Sequence, residues 1–179
     1  EILRAYCKQF GISKLANVVE GGENGQSSIR NGLWDLKEMY DENDLVLIHD
    51  AIRPMVSEEI ISDAIRVCKK YGNSISVIPC AEAMLKTEDG VSSLEQIPRD
   101  NLKRTQTPQT FVLKDIVAAH EEALEKGITN SVASCTLYIE LGKKLYFSAG
   151  SEKNIKLTTP DDIDIFKSLL VTRKSEWMK

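Results

Sequence analysis

A chain of 179 residues, 42% hydrophobic and 28% charged, carries enough apolar material for one globular domain with an ordinary core. Its net charge of −4, with no clustered basic face, speaks against nucleic acid as the main partner. No run approaches the roughly 18 apolar residues of a membrane span, and no signal peptide opens the chain, so a cytoplasmic protein is expected.

Cys7, Cys68, Cys80 and Cys135 lie far apart in no C-x-x-C pattern. They read as reduced, packed thiols and not as a disulfide framework or a zinc site. In residues 1–10, Ile2, Leu3, Tyr6 and Phe10 fall roughly on one helical face, and Gly11 is the stop. An α/β sheet normally starts with a strand and its loop. An N-terminal βα segment is therefore expected to be missing from the sequence as given.

Asn17-Val18-Val19 reads as a short strand, closed by the glycine-rich loop 20–28. Ile29, Leu33, Leu36 and Tyr40 then mark one face of a helix. Residues 45–49 form the next strand: four apolar residues run into His49-Asp50, and Arg53-Pro54 ends the run. Ser57 caps a helix with Glu58 and Glu59 in its first turn and Ile60, Ile61, Ala64, Ile65 and Cys68 as its buried stripe. Residues 74–79 read as another strand. The repeated order favours a three-layer α/β/α sandwich with a mainly parallel sheet.

Residues 83–87 and 91–97 flank Glu88-Asp89-Gly90 and predict a hairpin with a tight Asp-Gly turn. The hairpin has little core of its own and is expected to pack against another subunit, the other reading being a solvated flap. Residues 104–111 read as a polar loop around Pro108. Residues 113–126 form a helix ended by Gly127, and 144–147 and 154–158 read as strands. Thr159-Pro160-Asp161-Asp162 starts a last helix, which continues through Ile163, Phe166, Leu169 and Leu170 to a charged, frayed tail.

The chemistry lies in a few of these pieces. The 20–28 loop ends in two hydroxyls at a helix start, where free amides can hold a phosphate or the polar edge of a base; an ordinary turn has the same composition. Asp50, delivered to a strand tip where open α/β sheets bind ligands, is a metal-binding carboxylate or a capping aspartate. His49 should point to the opposite face and reads as structural. His120 reads as a satisfied, partly buried side chain. Lys156, in the short strand 154–158, is either a point charge for a phosphate or a surface lysine.

Four motifs occur in register: Val19-Glu20-Gly21-Gly22 with Ser28-Ile29-Arg30-Asn31-Gly32-Leu33; His49-Asp50-Ala51-Ile52-Arg53-Pro54; Gln106-Thr107-Pro108-Gln109-Thr110-Phe111; and Asn154-Ile155-Lys156-Leu157-Thr158-Thr159-Pro160-Asp161-Asp162. In this order the chain resembles the 2-C-methyl-D-erythritol 4-phosphate cytidylyltransferases and the similar ribitol-5-phosphate cytidylyltransferases, over residues 17–170. The resemblance implies one Rossmann-like nucleotidyltransferase domain over 1–179, with a dimerisation arm at 80–105. It also implies that CMP passes from CTP to a polyol phosphate, most simply 2-C-methyl-D-erythritol 4-phosphate, with Mg²⁺ and release of pyrophosphate. On this resemblance Gly22, Glu23, Ser28 and Ala51 bind the cytidine nucleotide and Asp50 holds Mg²⁺. Lys156 contacts the polyol phosphate and Thr107 hydrogen-bonds the acceptor. Arg99 reaches the acceptor phosphate in the neighbouring subunit of a homodimer.

There are also departures. The family's opening strand, its glycine-rich loop with arginine and its triphosphate-gripping lysine have no counterpart in this sequence, so the polypeptide as given should lack full activity. Gly25 stands where the family has an arginine, Ala83 where it has an arm threonine, and 129–134 lacks the family's aspartate. These changes keep ribitol 5-phosphate open as acceptor, and leave an inactive paralogue acting as a binding module as the alternative of another class.

Overall fold

The computed structural model describes residues 1–176, with side chains through residue 171. In chain order the elements are α1 (Ile2–Gln9), α2 (Gly25–Met39), β1 (Leu45–Ile48), α3 (Glu58–Tyr71), β2 (Asn73–Pro79), β3 (Met84–Lys86), β4 (Glu95–Ile97), β5 (Lys103–Val112), α4 (Leu113–Glu125), α5 (Ser134–Glu140), β6 (Phe147–Ala149) and α6 (Pro160–Glu176). Contacts group them into two compact units: Glu1–Asp44 with Leu113–Lys143, and Leu45–Val112 with the described chain from Lys144. The end of the tail expected to fray, 177–179, lies outside the described residues.

The first unit is helical. Asn24 caps α2 by accepting from the Ser27 amide at 2.9 Å, while the Ser27 hydroxyl accepts from the Asn24 amide at 3.0 Å, the reciprocal arrangement that satisfies two free donors at a helix start. Leu33 of α2 is buried, and α2 packs on α4, whose inner face is Leu113, Ile116, Val117, Ala119, His120 and Ala123. The strand expected at residues 17–19 is absent. No strand among the described residues ladders with it, and Asn17 holds the segment through its side chain, accepting from the Val18 amide at 2.8 Å and donating to Asp35 at 2.7 Å. α5, only 7 residues long, is too short to show a helical period in the sequence.

The second unit holds the sheet, in the order β1-β5-β2-β6. β5 pairs antiparallel with β1 and β2, and β6 pairs parallel with β2. Thus β1, β2 and β6 share one direction and β5 alone runs against them, in a mixed α/β fold. α3 lies on β2, β5 and β6 and buries Ile60, Ala64, Val67 and Cys68. Its ends follow the sequence rules: Ser57 caps the start, Glu58 and Glu59 meet the positive pole, and Gly72 closes it in the left-handed region at φ 89°.

The main correction concerns β5. The segment expected as a polar loop at 104–111 is the long strand between β1 and β2, buried from Gln106 to Phe111. Its side-chain polarity concealed this, because buried glutamines and threonines are tolerated only with hydrogen-bond partners that the fold supplies. The Thr107–Pro108 peptide is cis. The β2 ladder jumps here: Ile75 pairs with Gln109 and Val77 with Thr105, so Gln106, Thr107 and Pro108 face Ser76 alone. Pro108, which has no amide to give, therefore sits in a bulge outside the ladder.

Three smaller differences follow. The hairpin exists as β3 and β4, but the turn is a wide loop from 87 to 94. Asp89 organises it, accepting from the Val91 and Ser92 amides at 2.9 and 2.8 Å and from the Ser92 hydroxyl at 2.6 Å; these bonds hold its carboxyl well below the usual range. The strand expected at 144–147 is displaced to Phe147–Ala149, and no strand forms at 154–158. At α6, Asp162 accepts from the Thr158 and Thr159 amides at 2.8 and 2.7 Å, so the predicted start is present. Cys68, Cys80 and Cys135 are buried and Cys7 is half-buried, none of them in a disulfide. Among the described residues no helix is long and apolar enough to cross a membrane.

Candidate active site

β1 ends at Ile48, and residues 50–53 turn, with the Arg53 amide donating to the Asp50 carbonyl at 2.9 Å. Ala51 lies exposed in this turn. Beside it the β5 bulge re-aims Thr107, whose Oγ1 accepts from the Asp50 amide at 3.0 Å. His49 joins the same group. Its Nδ1 is 2.9 Å from Thr107 Oγ1 and its Nε2 is 3.1 Å from the Arg53 carbonyl. The expectation that His49 faces away is thus corrected: the strand stops one residue earlier, and side-chain alternation stops with it.

The carboxylate is flanked by two cations. Asp50 Oδ2 lies 3.2 Å from Arg53 Nε and 3.4 Å from Lys156 Nζ. Arg53 is 11% exposed, Asp50 33% and Lys156 45%. Such half-wet pairs stabilise a fold by at most about 1 kcal/mol, so their consequence is placement of charge. Oδ1 of Asp50 has no hydrogen bond among the described residues and is open to a ligand.

Lys156 reaches Asp50 from an irregular segment, not from the strand expected there. The Leu157 amide donates to the Ile52 carbonyl at 2.9 Å, and the Gly150 amide to the Val77 carbonyl at 2.9 Å. Only glycine fits at 150, since a Cβ there would meet Gln106 Oε1 at 2.5 Å. Between these ties lies Asn154, 0% exposed. Its Nδ2 donates to the Thr107 carbonyl at 2.9 Å and to Gln106 Oε1 at 3.3 Å, while its carbonyl accepts from Arg53 Nη1 at 2.8 Å. Gln106 in turn donates to the Ser151 carbonyl at 2.9 Å. Gln106, Asn154 and Arg53 were not identified as site residues from the sequence. Arg53 had a usable signal in its i+3 spacing from Asp50; a buried asparagine outside regular structure had none.

The glycine-rich loop belongs to the first unit and is built from its own hydroxyls. Ser28 Oγ donates to the Asn24 carbonyl at 2.8 Å and accepts from the Gly22 amide at 2.9 Å. A Cβ at Gly22 would lie 2.2 Å from Ser27 Oγ and 2.9 Å from backbone, so this glycine is required by close approach. Among the described residues nothing caps the amides of Gly25 and Gln26, an anion-binding geometry at the start of a 15-residue helix. Glu23 is exposed. Gln26, missed in the sequence, is buried and staples the loop between α4 and α5, donating to the Ile128 carbonyl at 2.7 Å and accepting from the Ser131 amide at 2.7 Å.

The structure thus joins Asp50, Thr107 and Lys156 in one network of the second unit, with Ala51 in the same turn, while Gly22, Glu23 and Ser28 form a loop of the first. Arg99 stands apart from the Asp50 network, donating to the Ala81 carbonyl at 2.6 Å. His120 is not the satisfied side chain expected. It is 1% exposed, and both ring nitrogens lack a hydrogen-bond partner among the described residues. Burial, with the nearby Arg30 charge, pushes its pKa down to about 4.

Residues 4–172 match the family model for 2-C-methyl-D-erythritol 4-phosphate cytidylyltransferase. A ribitol-5-phosphate cytidylyltransferase of Lacticaseibacillus paracasei is 40% identical over 167 residues, covering 92% of this chain and 71% of that protein. A 2-C-methyl-D-erythritol 4-phosphate cytidylyltransferase of Clostridium acetobutylicum is 38% identical over 164 residues, 90% of this chain and 69% of that protein. The crystal structure of 4-diphosphocytidyl-2C-methyl-D-erythritol synthase from Anaerococcus prevotii superposes with a TM-score of 0.79 at 26% identity, over 93% of this chain and 76% of the other.

Proposed function

This chain belongs to the 2-C-methyl-D-erythritol 4-phosphate cytidylyltransferase family, and we propose that it transfers CMP from CTP to a small polyol phosphate. An oxygen of the polyol's phosphate forms a bond to the α-phosphorus of CTP. The bond from that phosphorus to the α–β bridging oxygen breaks, and this oxygen leaves with pyrophosphate. The protein's part in such a displacement is positioning and charge neutralisation.

The observation that carries this reading is Asp50, held between Arg53 and Lys156 with Oδ1 open. Two cations beside one carboxylate suit a site where several phosphate charges gather. The donor set also fits Mg²⁺, an ion that is held by one or two carboxylates and takes its other oxygens from phosphates and water; bound there, Mg²⁺ supplies further neutralisation of phosphate oxygens. Lys156 neutralises the acceptor phosphate. Thr107, whose oxygen keeps one lone pair after its bonds to His49 and Asp50, accepts from an acceptor hydroxyl. In the first unit Gly22, Glu23 and Ser28, with the Gly25 and Gln26 amides, offer a loop for the polar edge of a cytosine; in the second, Ala51 offers the Asp50 turn to the nucleotide.

Of the two acceptors named among the relatives, ribitol 5-phosphate is favoured by the 40% identical protein and by the departures at Gly25 and Ala83. On the arm, Val91 and Leu94 are fully open to solvent or nearly so and Leu85 is exposed; a second copy covers them, and Arg99 then serves the partner's acceptor. Sedimentation of the full-length protein should give twice the chain mass, and a monomer at micromolar concentration would remove the arm from the site.

The test is pyrophosphate release by the full-length protein with CTP and Mg²⁺. Release should depend on adding ribitol 5-phosphate or 2-C-methyl-D-erythritol 4-phosphate, with the former turned over faster. Absence of release with either, and with other small polyol phosphates, would refute the transferase reading.

A further inference from the structure

We propose that His49 is a positioning residue of the transfer step, acting through Thr107 on the placement of Asp50. The inference rests on the cytidylyl-transfer reading above and adds a residue that the sequence had set aside as structural.

Three contacts carry it. The Asp50 amide donates to Thr107 Oγ1 at 3.0 Å, Thr107 Oγ1 lies 2.9 Å from His49 Nδ1, and His49 Nε2 lies 3.1 Å from the Arg53 carbonyl. With a neutral imidazole, one assignment of protons satisfies all of them. Thr107 accepts from Asp50, gives its own proton to Nδ1, and Nε2–H donates to the carbonyl. The His49 ring is exposed and contributes little to a core, so its two directed bonds are its main contribution. They close a ring through both ends of the 50–53 turn: His49 bonds the carbonyl at its far end and, through Thr107, the amide at its near end.

The consequence is directional. With its proton turned to His49, Thr107 presents only a lone pair outward and can accept from a polyol hydroxyl but cannot donate to a phosphate oxygen. Without His49 the hydroxyl rotates freely and the turn loses a tie at Arg53, whose guanidinium sits 3.2 Å from Asp50 Oδ2. A misplacement of about 1 Å at a reacting centre can cost about 100-fold in rate.

The experiment is steady-state pyrophosphate release by full-length His49→Ala, His49→Asn, His49→Gln and Thr107→Val proteins and by the His49→Ala/Thr107→Val double variant. Wild-type turnover is measured first, and its absence would defeat the transferase reading itself. His49→Ala should lower kcat about 10- to 100-fold with KM for CTP changed less than about threefold and little change in Tm, the pattern of an interaction lost in the transition state. The double variant should be no slower than Thr107→Val alone, because the two act in one chain. Asn places an acceptor near the Nδ1 position and should restore kcat to within about threefold of wild type. Gln, which reaches only the Arg53 carbonyl, should not. Multiplicative effects in the double variant, or rescue by Gln and not Asn, would overturn the proposal; the Asn and Gln pair decides it if His49→Ala does not fold.

Discussion

Two buried polar regions of this protein are built on opposite terms. At the tips of β1 and β5, Gln106, Thr107 and Asn154 are buried and bound to one another, to backbone and to Arg53; Asn154 Oδ1 and, further along β5, Thr110 Oγ1 lack partners. On α4, His120 is as deeply buried, with Trp34 edge-on at 6.4 Å, yet neither nitrogen has a hydrogen-bond partner among the described residues. The first region converts burial into geometry, because each bond fixes a group that in turn fixes a charge. The second gains only packing, and its polarity is a cost.

The contrast is broken most directly at Asn154. Asn154→Ala removes the bonds to Gln106 and Thr107 and leaves both without that partner. It should cost about 2–4 kcal/mol, read as a Tm lower by roughly 5–10 °C; turnover should also fall at temperatures where the fold is intact, since the side-chain ties that hold the backbone carbonyl of residue 154 against Arg53 are gone. A variant with unchanged Tm and activity would show the network to be incidental.

The effect expected at His120 is small at neutral pH and grows only in acid. Its pKa in the fold is about 4, below the ordinary 6.5, so the native state binds fewer protons than the unfolded one. Its effect on stability is flat above pH 6.5 and costs up to about 1.4 kcal/mol per pH unit as the pH falls from 6.5 to 4. His120→Leu should match the parent within about 1 kcal/mol at pH 7 and lose that acid-side decline. Parallel pH curves for the two proteins would mean that His120 has a partner after all.

How much of this was legible in the sequence follows the same division. Where apolar periodicity and end signals decide structure, as in α3 with Ser57 and Gly72 or in α6 with its Thr-Pro-Asp-Asp start, the elements were readable. β5 was not, because its buried residues carry polar side chains whose partners lie at positions 49, 50 and 154. Lys156 lies beside Asp50 but not on the strand that its apolar neighbours suggest, since backbone ties from Gly150 and Leu157, not a ladder, aim it. His49 was set aside on strand alternation, a rule that lapses where the strand ends.

The central claim is that the Asp50 group supports cytidylyl transfer. The most direct measurement is acceptor-dependent pyrophosphate release from CTP by full-length protein, compared with its Asp50→Asn variant, which keeps the side-chain shape and removes the charge. The account predicts release that requires a polyol phosphate and a loss of about 1,000-fold in kcat/KM in the variant with an unchanged fold. Equal release by both proteins would contradict it.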